Sequence, residues 1–536
     1  MRNFVSLNKK KSRSLIDIAG IVAFATLISK LFGLIREQSI AAAFGVGPVI
    51  NAYSYAYVIP GFFLILLGGI NGPFHSSLIS VLTKRKKTEV APLVESVTTL
   101  VTIFLLIITI ILILFANTFI SILAPGLEEE VKLIAVEQLQ IMAPLALLSG
   151  LIGIGFGTLN VSNQYLLPSI SPLFSSLVIS SGVWIFIWQV GADINKPDNW
   201  YLGGMVLAGG TLIGGLLQWL AQLQSQVRRG MGGIKLRFEF NTPELRNIMK
   251  IMIPATFASG MLHINVYTDL FFASFIPDAA AAMRYANFIA LTPLGIISNM
   301  ILVPFMPIFS QLTAPENWNE LKLRIRQGIF LSALTMLPLT AIFIALAPKI
   351  IRVIYQRGAF EMDDVFIVTP VLIAYGMGMF FYLVRDVLVR VFYALGDGET
   401  PFRISLFNIF LNFLLDFLLY KPFGTPGLVF ATILVNLISI LIFLVILNRR
   451  LQKLPIKDWS ISILNLIGIS SIASFSGWIV SHFLHKIYIG NNLGIQCLQL
   501  FISSSTILGV FFVLSTQLQL PEIALLNNQL KKKLQR

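Results

Sequence analysis

Long apolar segments, each separated from the next by a short polar connection, run through almost the whole chain. A helix needs about 20 apolar residues to cross a bilayer, and about fourteen segments reach that length. They lie near residues 17–44, 50–82, 91–116, 132–157, 168–190, 201–224, 247–276, 279–312, 321–348, 365–395, 402–420, 426–447, 459–484 and 494–516. The pattern predicts an all-α polytopic membrane protein with about fourteen transmembrane helices and no soluble domain between them.

Composition supports this prediction and narrows the chemistry. The chain has 536 residues, of which 56% are hydrophobic and only 12% charged, whereas a soluble domain carries about 25% charged residues. A single cysteine, Cys497, excludes an intrachain disulfide, and the four histidines lack the spacing of metal ligands. No nucleophile–base pair or phosphate-binding loop is visible, so we expect a protein that is not an enzyme.

Basic residues account for the net charge of +14 and predict an orientation. With the N-terminus inside, the basic clusters at residues 84–87, 228–229, 449–450 and 531–533 all fall on the cytoplasmic side. The acidic cluster at residues 128–130 then falls outside. We therefore expect both termini in the cytoplasm. The clusters lack interleaved aromatic residues, so the charge does not indicate binding to nucleic acid.

An internal repeat predicts two pseudo-symmetric six-helix lobes. Ala25 recurs as Ala255 and Tyr55 recurs as Tyr285, both at one offset. Parallel repeats of this kind place two lobes around an axis along the membrane normal. The predicted parts are an N-terminal lobe of helices 1–6 (residues 1–230), a C-terminal lobe of helices 7–12 (231–450), and helices 13–14 with a basic tail (451–536).

Three ionisable residues lie inside the first apolar segment. Lys30, Arg36 and Glu37 fall in a stretch that is otherwise apolar, and a charge at the centre of such a helix costs about 2.5–3.5 kcal/mol. A straight helix would place Lys30 and Arg36 on different faces, but Gly33 between them permits a bend. Two interpretations stay open: an internal ion pair, or a cationic patch for an anionic headgroup, since arginine suits bidentate phosphate contacts.

Four oxygen-bearing residues lie in later apolar segments. Asn412 and Asp416 are spaced i, i+4 and therefore project from one helix face, while Asp269 and Thr432 lie in two other segments. Such oxygens are suitable ligands for a small, hard cation. From the residue types alone, hydrogen bonds that bridge neighbouring helices are the favoured interpretation.

At these residues the chain resembles the MurJ (MviN) family of lipid II flippases, within the multidrug/oligosaccharidyl-lipid/polysaccharide exporter superfamily. The resemblance runs from about residue 15 to about residue 450 and rests on the order and spacing of several short motifs. These motifs are Ser29-Lys30-Leu31-Phe32-Gly33-Leu34-Ile35-Arg36-Glu37, Ala124-Pro125-Gly126, Ile141-Met142-Ala143-Pro144, Tyr355-Gln356-Arg357-Gly358-Ala359-Phe360, and the run from Arg390 to Thr400-Pro401.

The resemblance implies a fold, an activity and site residues. The fold is two six-helix lobes plus a C-terminal helix pair that forms a lipid groove. The activity is transfer of the undecaprenyl-diphosphate-linked peptidoglycan precursor, lipid II, to the outer leaflet by alternating access. Lys30, Arg36 and Glu37 match the family's helix-1 charges. The sodium site of the family matches Asp269, Asn412, Asp416 and Thr432, which reverses the preference for simple helix bridging. A multi-pass protein of the bacterial inner membrane is implied, and we expect a monomer in contact with membrane lipids and cell-wall synthesis proteins.

The chain departs from the family pattern in helices 2 and 8. Asn51 replaces an acid, and the apolar run at residues 64–66 replaces an arginine pair. In helix 8 the family's charged positions hold Asn287 and Phe288, although Arg284 lies one turn earlier on the same face. We therefore include Asn51 and Arg284 among the expected headgroup residues. Two alternatives remain: a flippase for another lipid-linked oligosaccharide or a drug/cation antiporter, and, from another class, a membrane enzyme acting on polyprenyl-phosphate lipids.

Overall fold

The computed structural model describes residues 15–68, 73–85, 87–261, 264–487, 492–518 and 522. Within these ranges the regular structure is entirely helical. The predicted all-α class is therefore confirmed. The basic cluster at 531–533 and Lys86 of the first cytoplasmic cluster lie outside the described residues.

Nineteen α-helices follow one another along the described chain, with short 3₁₀ turns at Gly191–Asn195 and Pro315–Asn317. The helices are α1 Leu15–Phe44, α2 Pro48–Gly68, α3 Pro73–Leu82, α4 Lys87–Leu114, α5 Ala116–Leu123, α6 Glu129–Met142, α7 Leu145–Val161, α8 Leu166–Ile170, α9 Leu173–Val190, α10 Pro197–Arg228, α11 Pro243–Met261, α12 Ile264–Ala273, α13 Ala279–Gln311, α14 Trp318–Tyr355, α15 Met362–Ala394, α16 Glu399–Phe423, α17 Thr425–Arg450, α18 Ile456–Ile487 and α19 Leu493–Gln517.

Twelve stretches of the described residues are long and apolar enough to cross a membrane. The two remaining predicted spans coincide with α1, which carries the helix-1 charges, and with α11 and α12, which lie on either side of residues 262–263. The fourth and fifth predicted spans each consist of two consecutive helices rather than one, α6 with α7 and α8 with α9. The chain is a multi-pass membrane protein.

The first of two compact units comprises Met1–Ile40, Ala56–Phe119 and Leu133–Gly260. In this unit α10 packs against α7 and α9, and α7 packs against α3 and α4. Glycines permit the closest approaches, since a Cβ on Gly153 would meet the backbone carbonyl oxygen of Leu67. Small residues at helix contacts are the usual means of tight packing where lipid removes the hydrophobic driving force between helices.

The second unit comprises Ala41–Tyr55, Ile120–Lys132 and Met261–Arg536. Here α14 packs against α15, α18 and α19, while α12 packs against α16 and α17. Lys349 of α14 fastens both C-terminal helices, because its Nζ donates to the Ser481 carbonyl at 2.8 Å and to Gln499 Oε1 at 3.2 Å. These units are defined by packing, and the lobe boundaries at residues 230 and 450 stay a prediction.

Candidate ion and headgroup sites

A cluster of oxygen atoms joins α12, α16 and α17 inside the second unit. Its centre is the Asn412 amide, which is fully buried. The Asn412 Nδ2 donates to Asp269 Oδ1 at 2.7 Å, to Asp416 Oδ2 at 2.8 Å and to Thr268 Oγ1 at 2.9 Å. One side chain of α16 therefore holds two carboxylates and a hydroxyl from two helices in place.

The third helix of the cluster contributes Thr432. Its hydroxyl lies 3.3 Å from Asn412 Oδ1 and 3.4 Å from Asp269 Oδ2. One turn later, the Asn436 Nδ2 donates to the Thr432 carbonyl at 2.7 Å. All four residues that the resemblance assigned to a sodium site are thus brought together, although they are separated by up to 163 positions in sequence.

The composition of the cluster suits a hard monovalent cation. Asp269 and Asp416 both accept hydrogen bonds from Asn412 Nδ2, and Asp416 Oδ1 is buried without a hydrogen-bond donor. Acceptor oxygens outnumber the hydrogens that the Asn412 amide and the Thr432 hydroxyl supply, so hydrogen bonds from these two groups do not satisfy every oxygen of the cluster. Carboxylate, amide and hydroxyl oxygens are the ligands that hard cations prefer. The residues present fit a bound sodium ion.

The sequence of α16 explains why this polar face points inward. Its buried residues recur every third or fourth position and end in Asn408, Asn412 and Asp416, so they form one narrow stripe along the helix. The opposite face carries Phe410 and Phe417, which are 67% and 56% exposed. In a membrane the apolar face meets lipid, and the polar stripe must therefore find its partners inside the bundle.

The helix-1 charges lie in the first unit and include an ion pair. Arg36 Nη2 and Nε lie 2.7 and 3.1 Å from the same oxygen, Glu37 Oε1. The Arg36 side chain is 24% exposed, whereas that of Glu37 is 2% exposed. Lys30 is exposed, and α1 is continuous through Gly33. The pair shows that Arg36 has a fixed counter-charge while part of its guanidinium stays accessible.

The substitute residues of helices 2 and 8 meet in the second unit. The Arg284 guanidinium carbon lies 5.0 Å from the centre of the Tyr53 ring, a distance that permits a cation–π contact. Nearby, Asn51 Oδ1 accepts from the Ala281 amide at 3.4 Å. Both contacts join the first turns of α2 to the first turns of α13. The sequence did not predict the aromatic partner of the arginine.

The five expected headgroup residues are therefore divided between the two units. Lys30, Arg36 and Glu37 belong to the first unit, and Asn51 and Arg284 to the second. Their assignment to a headgroup stays a prediction.

Two further residues of these sites were not predicted from the sequence. The position of Thr268 could have indicated its place in the oxygen cluster, since it precedes Asp269 on the same short helix. The role of Tyr53 was less evident from the sequence, because aromatic residues are common throughout the apolar segments.

Comparison with known proteins decides the family. The family model described as Lipid II flippase MurJ matches residues 40–497. A protein of Synechocystis sp. named Probable lipid II flippase MurJ is 61% identical over 532 residues, which cover 99% of this chain and 100% of that protein. The chain belongs to the MurJ family of lipid II flippases. The resemblance inferred from the motifs is confirmed.

More distant relatives agree with this membership. A protein of Rhizobium tropici with the same name is 28% identical over 467 residues, covering 86% of this chain and 85% of that protein. The solved structure titled "Lipid II flippase MurJ, inward closed conformation" matches with a TM-score of 0.72 at 23% identity, over 93% of this chain and all of that one.

A solved structure from outside the MurJ family shares the fold. An inward-facing multidrug resistance MATE family transporter of the MOP superfamily matches with a TM-score of 0.58 at 15% identity, over 81% of this chain and 98% of that one. At these identities the two solved structures establish the fold alone.

Proposed function

We propose that this protein moves lipid II from the inner to the outer leaflet of a bacterial inner membrane by alternating access. The observation that supports the proposal most strongly is the 61% identity, over 99% of the chain, to a protein named as a probable lipid II flippase. We further propose that the protein works as a monomer, in contact with membrane lipids and cell-wall synthesis proteins, that both termini are cytoplasmic, and that no covalent chemistry is involved.

The main physical obstacle to transport is the passage of the polar headgroup through the hydrocarbon of the membrane. A diphosphate-linked sugar cannot cross hydrocarbon without a substitute for its hydration shell, because an unpaired charge in an apolar medium costs many kcal/mol. Lys30 and Arg36 would supply positive charge to the diphosphate, and Arg284 would add a third cation. The Glu37 carboxylate orients the Arg36 guanidinium through the contacts of 2.7 and 3.1 Å. The Asn51 amide would hydrogen-bond to the sugar or phosphate oxygens.

We propose that sodium binding at the oxygen cluster is coupled to transport. Asp269, Asn412, Asp416 and Thr432 would hold the ion, and the ion would bind the acceptor oxygens that have no hydrogen-bond donor, such as Asp416 Oδ1. The cluster joins three helices through buried and partly buried hydrogen bonds. Ion binding would therefore favour the arrangement in which α12, α16 and α17 are held together, since a ligand shifts an equilibrium toward the state that it binds better.

Complementation tests the transport proposal. A bacterium depleted of its own flippase would receive this chain, an Arg36→Ala variant or an Arg403→Ala variant. Arg403 is a matched control, because it is an exposed arginine of α16 that pairs with Glu399. We expect the unaltered chain and Arg403→Ala to restore growth and lipid II exposure on the outer leaflet, and Arg36→Ala to lose at least tenfold of that exposure.

Two results would contradict the proposal. One is an unaltered chain that is expressed and membrane-inserted but leaves lipid II on the inner leaflet. The other is an Arg36→Ala variant that restores as much exposed lipid II as the control. Restored export of a different lipid-linked oligosaccharide in the first case would favour the alternative flippase.

A further inference from the structure

Helices α14 and α18 run side by side in the same direction. Ser470 Oγ donates to the Leu337 carbonyl at 2.7 Å, and Ser474 Oγ donates to the Ala341 carbonyl at 3.2 Å. Both pairs are separated by 133 positions in sequence, so a step of four residues along one helix matches an equal step along the other. The two helices are therefore parallel over this stretch.

A groove lies between residues 337–345 of α14 and residues 467–478 of α18, and side chains of α15 and α17 also line it. We call it the α14–α18 groove. Its volume is about 580 Å³, within the range of about 300–1,000 Å³ that is usual for ligand pockets. The hydroxyl groups that line it donate to backbone carbonyls, as those of Thr340, Ser470 and Ser474 do. The groove therefore offers a largely apolar surface that suits a hydrocarbon chain.

Two cations of α14 lie beyond one end of the groove. Ala345 lines the groove, and Lys349 lies one turn further along the same helix face, followed three residues later by Arg352. The Lys349 Nζ donates to the Ser481 carbonyl at 2.8 Å and to Gln499 Oε1 at 3.2 Å. An ammonium group has three hydrogens, so one hydrogen remains for a ligand at the end of the groove.

Neither cation pairs with a carboxylate in the part of the chain that the structure describes. The Arg352 Nη2 donates to Met362 Sδ at 3.1 Å, and a thioether sulfur is a weak acceptor. The Arg352 Nε is buried without a hydrogen-bond acceptor. Charges withdrawn from water are ordinarily paired, so these two positive charges indicate an anion that comes from outside the chain.

The two cations lie at the membrane interface opposite the basic clusters. Near the start of α14, the Lys322 Nζ donates to the Gln452 carbonyl at 3.4 Å, next to the basic pair at residues 449–450. Lys349 is 27 residues further along the helix, a rise of about 40 Å, and a bilayer with its headgroups is about 40–45 Å thick. Lys349 and Arg352 therefore lie at the level of lipid headgroups.

We propose that the α14–α18 groove and these two cations form a binding site for an anionic phospholipid. One acyl chain lies in the groove, and the phosphate lies between the Lys349 ammonium and the Arg352 guanidinium, whose planar donors match phosphate oxygens. The charges decide the occupant, because an apolar groove alone would accept the chain of any lipid. A phospholipid bound here covers the contact between α14 and α18 and stabilises the attachment of the C-terminal helices.

Native mass spectrometry of the purified full chain in detergent tests the proposal. The probes are dioleoyl phosphatidylglycerol, dioleoyl phosphatidylcholine, which has the same chains and no net charge, and undecaprenyl diphosphate. Arg352→Gln removes one cation, and Arg352→Lys keeps it. Lys421→Gln is the matched control, because Lys421 is an exposed lysine in the last turn of α16. Ser471→Phe narrows the groove at an exposed position whose hydroxyl bonds only within α18.

We expect the unaltered chain and Lys421→Gln to bind phosphatidylglycerol at least fivefold more tightly than phosphatidylcholine. Arg352→Gln should lose about fivefold of its affinity for phosphatidylglycerol, since one cation near a membrane surface contributes about that factor, and should keep its affinity for phosphatidylcholine. Arg352→Lys should restore most of the loss. Ser471→Phe should weaken the binding of both phospholipids, because both place a chain in the groove.

Equal affinity of Arg352→Gln and Lys421→Gln for phosphatidylglycerol would overturn the proposal, and so would equal affinity of the unaltered chain for the two phospholipids. If undecaprenyl diphosphate displaces phosphatidylglycerol and loses the same affinity in Arg352→Gln, the site belongs to a polyprenyl lipid and the proposal is wrong. Lys349→Gln tests the same phosphate contact if Arg352→Gln fails to fold. None of these measurements requires transport, so their failure is distinguishable from failure of the proposed flippase activity.

Discussion

The hydrogen-bond network around Asn412 leads to a prediction with a matched control on the same helix. Asn412 and Asn408 are both buried asparagines of α16, one turn apart on the same face. Asn412 donates to groups on α12 and α16 within the oxygen cluster, whereas Asn408 accepts a single bond of 2.9 Å from the Ser439 hydroxyl. Replacing each by alanine removes the same amide from inside or outside the proposed ion site.

The two substitutions should lower the free energy of unfolding by different amounts. A hydrogen bond inside a membrane protein contributes roughly 0.6 kcal/mol, while one to a charged acceptor contributes roughly 1.5–3 kcal/mol. Asn412→Ala removes one neutral bond and two bonds to carboxylates, for a total of about 4–7 kcal/mol. Asn408→Ala removes one neutral bond, for roughly 0.6 kcal/mol.

The ion dependence separates a site residue from a structural one. A ligand at 100 times its dissociation constant stabilises the state that binds it by about 2.7 kcal/mol. This stabilisation by bound sodium is measured by thermal unfolding in detergent, in which sodium chloride is compared with choline chloride at equal ionic strength. We expect sodium to raise the Tm of the unaltered protein and of Asn408→Ala, and to leave Asn412→Ala unchanged.

Either of two outcomes would refute the assignment of the oxygen cluster as a sodium site. If sodium stabilises Asn412→Ala as much as it stabilises Asn408→Ala, the cluster is not the ion site. If sodium does not stabilise the unaltered protein at any concentration, the cluster serves only to join the helices, as the residue types alone suggested.

Two further predictions concern stability. We expect Gly153→Ala to lower the Tm in detergent by an amount corresponding to about 1–3 kcal/mol of overpacking, because its Cβ would meet the α2 backbone. Gly209→Ala has open space around its Cβ and should instead gain about 1 kcal/mol of helix propensity. A decrease of equal size in both variants would contradict the packing argument. Burial would raise the pKa of Asp397, but hydrogen bonds from Thr400 and the charge of Arg450 outweigh it and hold the pKa below its ordinary value. The resulting stability is present above about pH 4 and is lost as the pH falls through the lowered pKa, so Asp397→Asn should remove that acid dependence from unfolding curves measured between pH 7 and pH 2.

The helices could be predicted from the sequence because membrane spans depend on length and hydrophobicity, which are local properties. The predicted spans and the helices agree closely, as at α10 and α17. Interruptions were harder to predict. The fourth span is two helices, α6 and α7, and the fifth is α8 and α9. A break in an apolar segment depends on what its neighbours provide to the freed backbone groups, and a single sequence does not contain that information.

The candidate sites were predictable only in part, because spacing within one helix can be read from the sequence whereas contacts between distant helices cannot. The spacing of Asn412 and Asp416 places both on one helix face, but nothing local indicates that α12 and α17 lie beside that face. Family resemblance supplied that knowledge for Asp269 and Thr432. It did not supply Thr268, or the ring of Tyr53 beneath Arg284, because these contacts depend on side-chain packing in this particular chain.

One physical rule explains the two faces of α16. In water an amphipathic helix turns its apolar side inward, and in lipid it turns that side outward. On α16 the outward side carries phenylalanines and the inward side carries the oxygen cluster. An inverted pattern of this kind therefore identifies contact with lipid, and it locates the polar contacts on the opposite face of the helix.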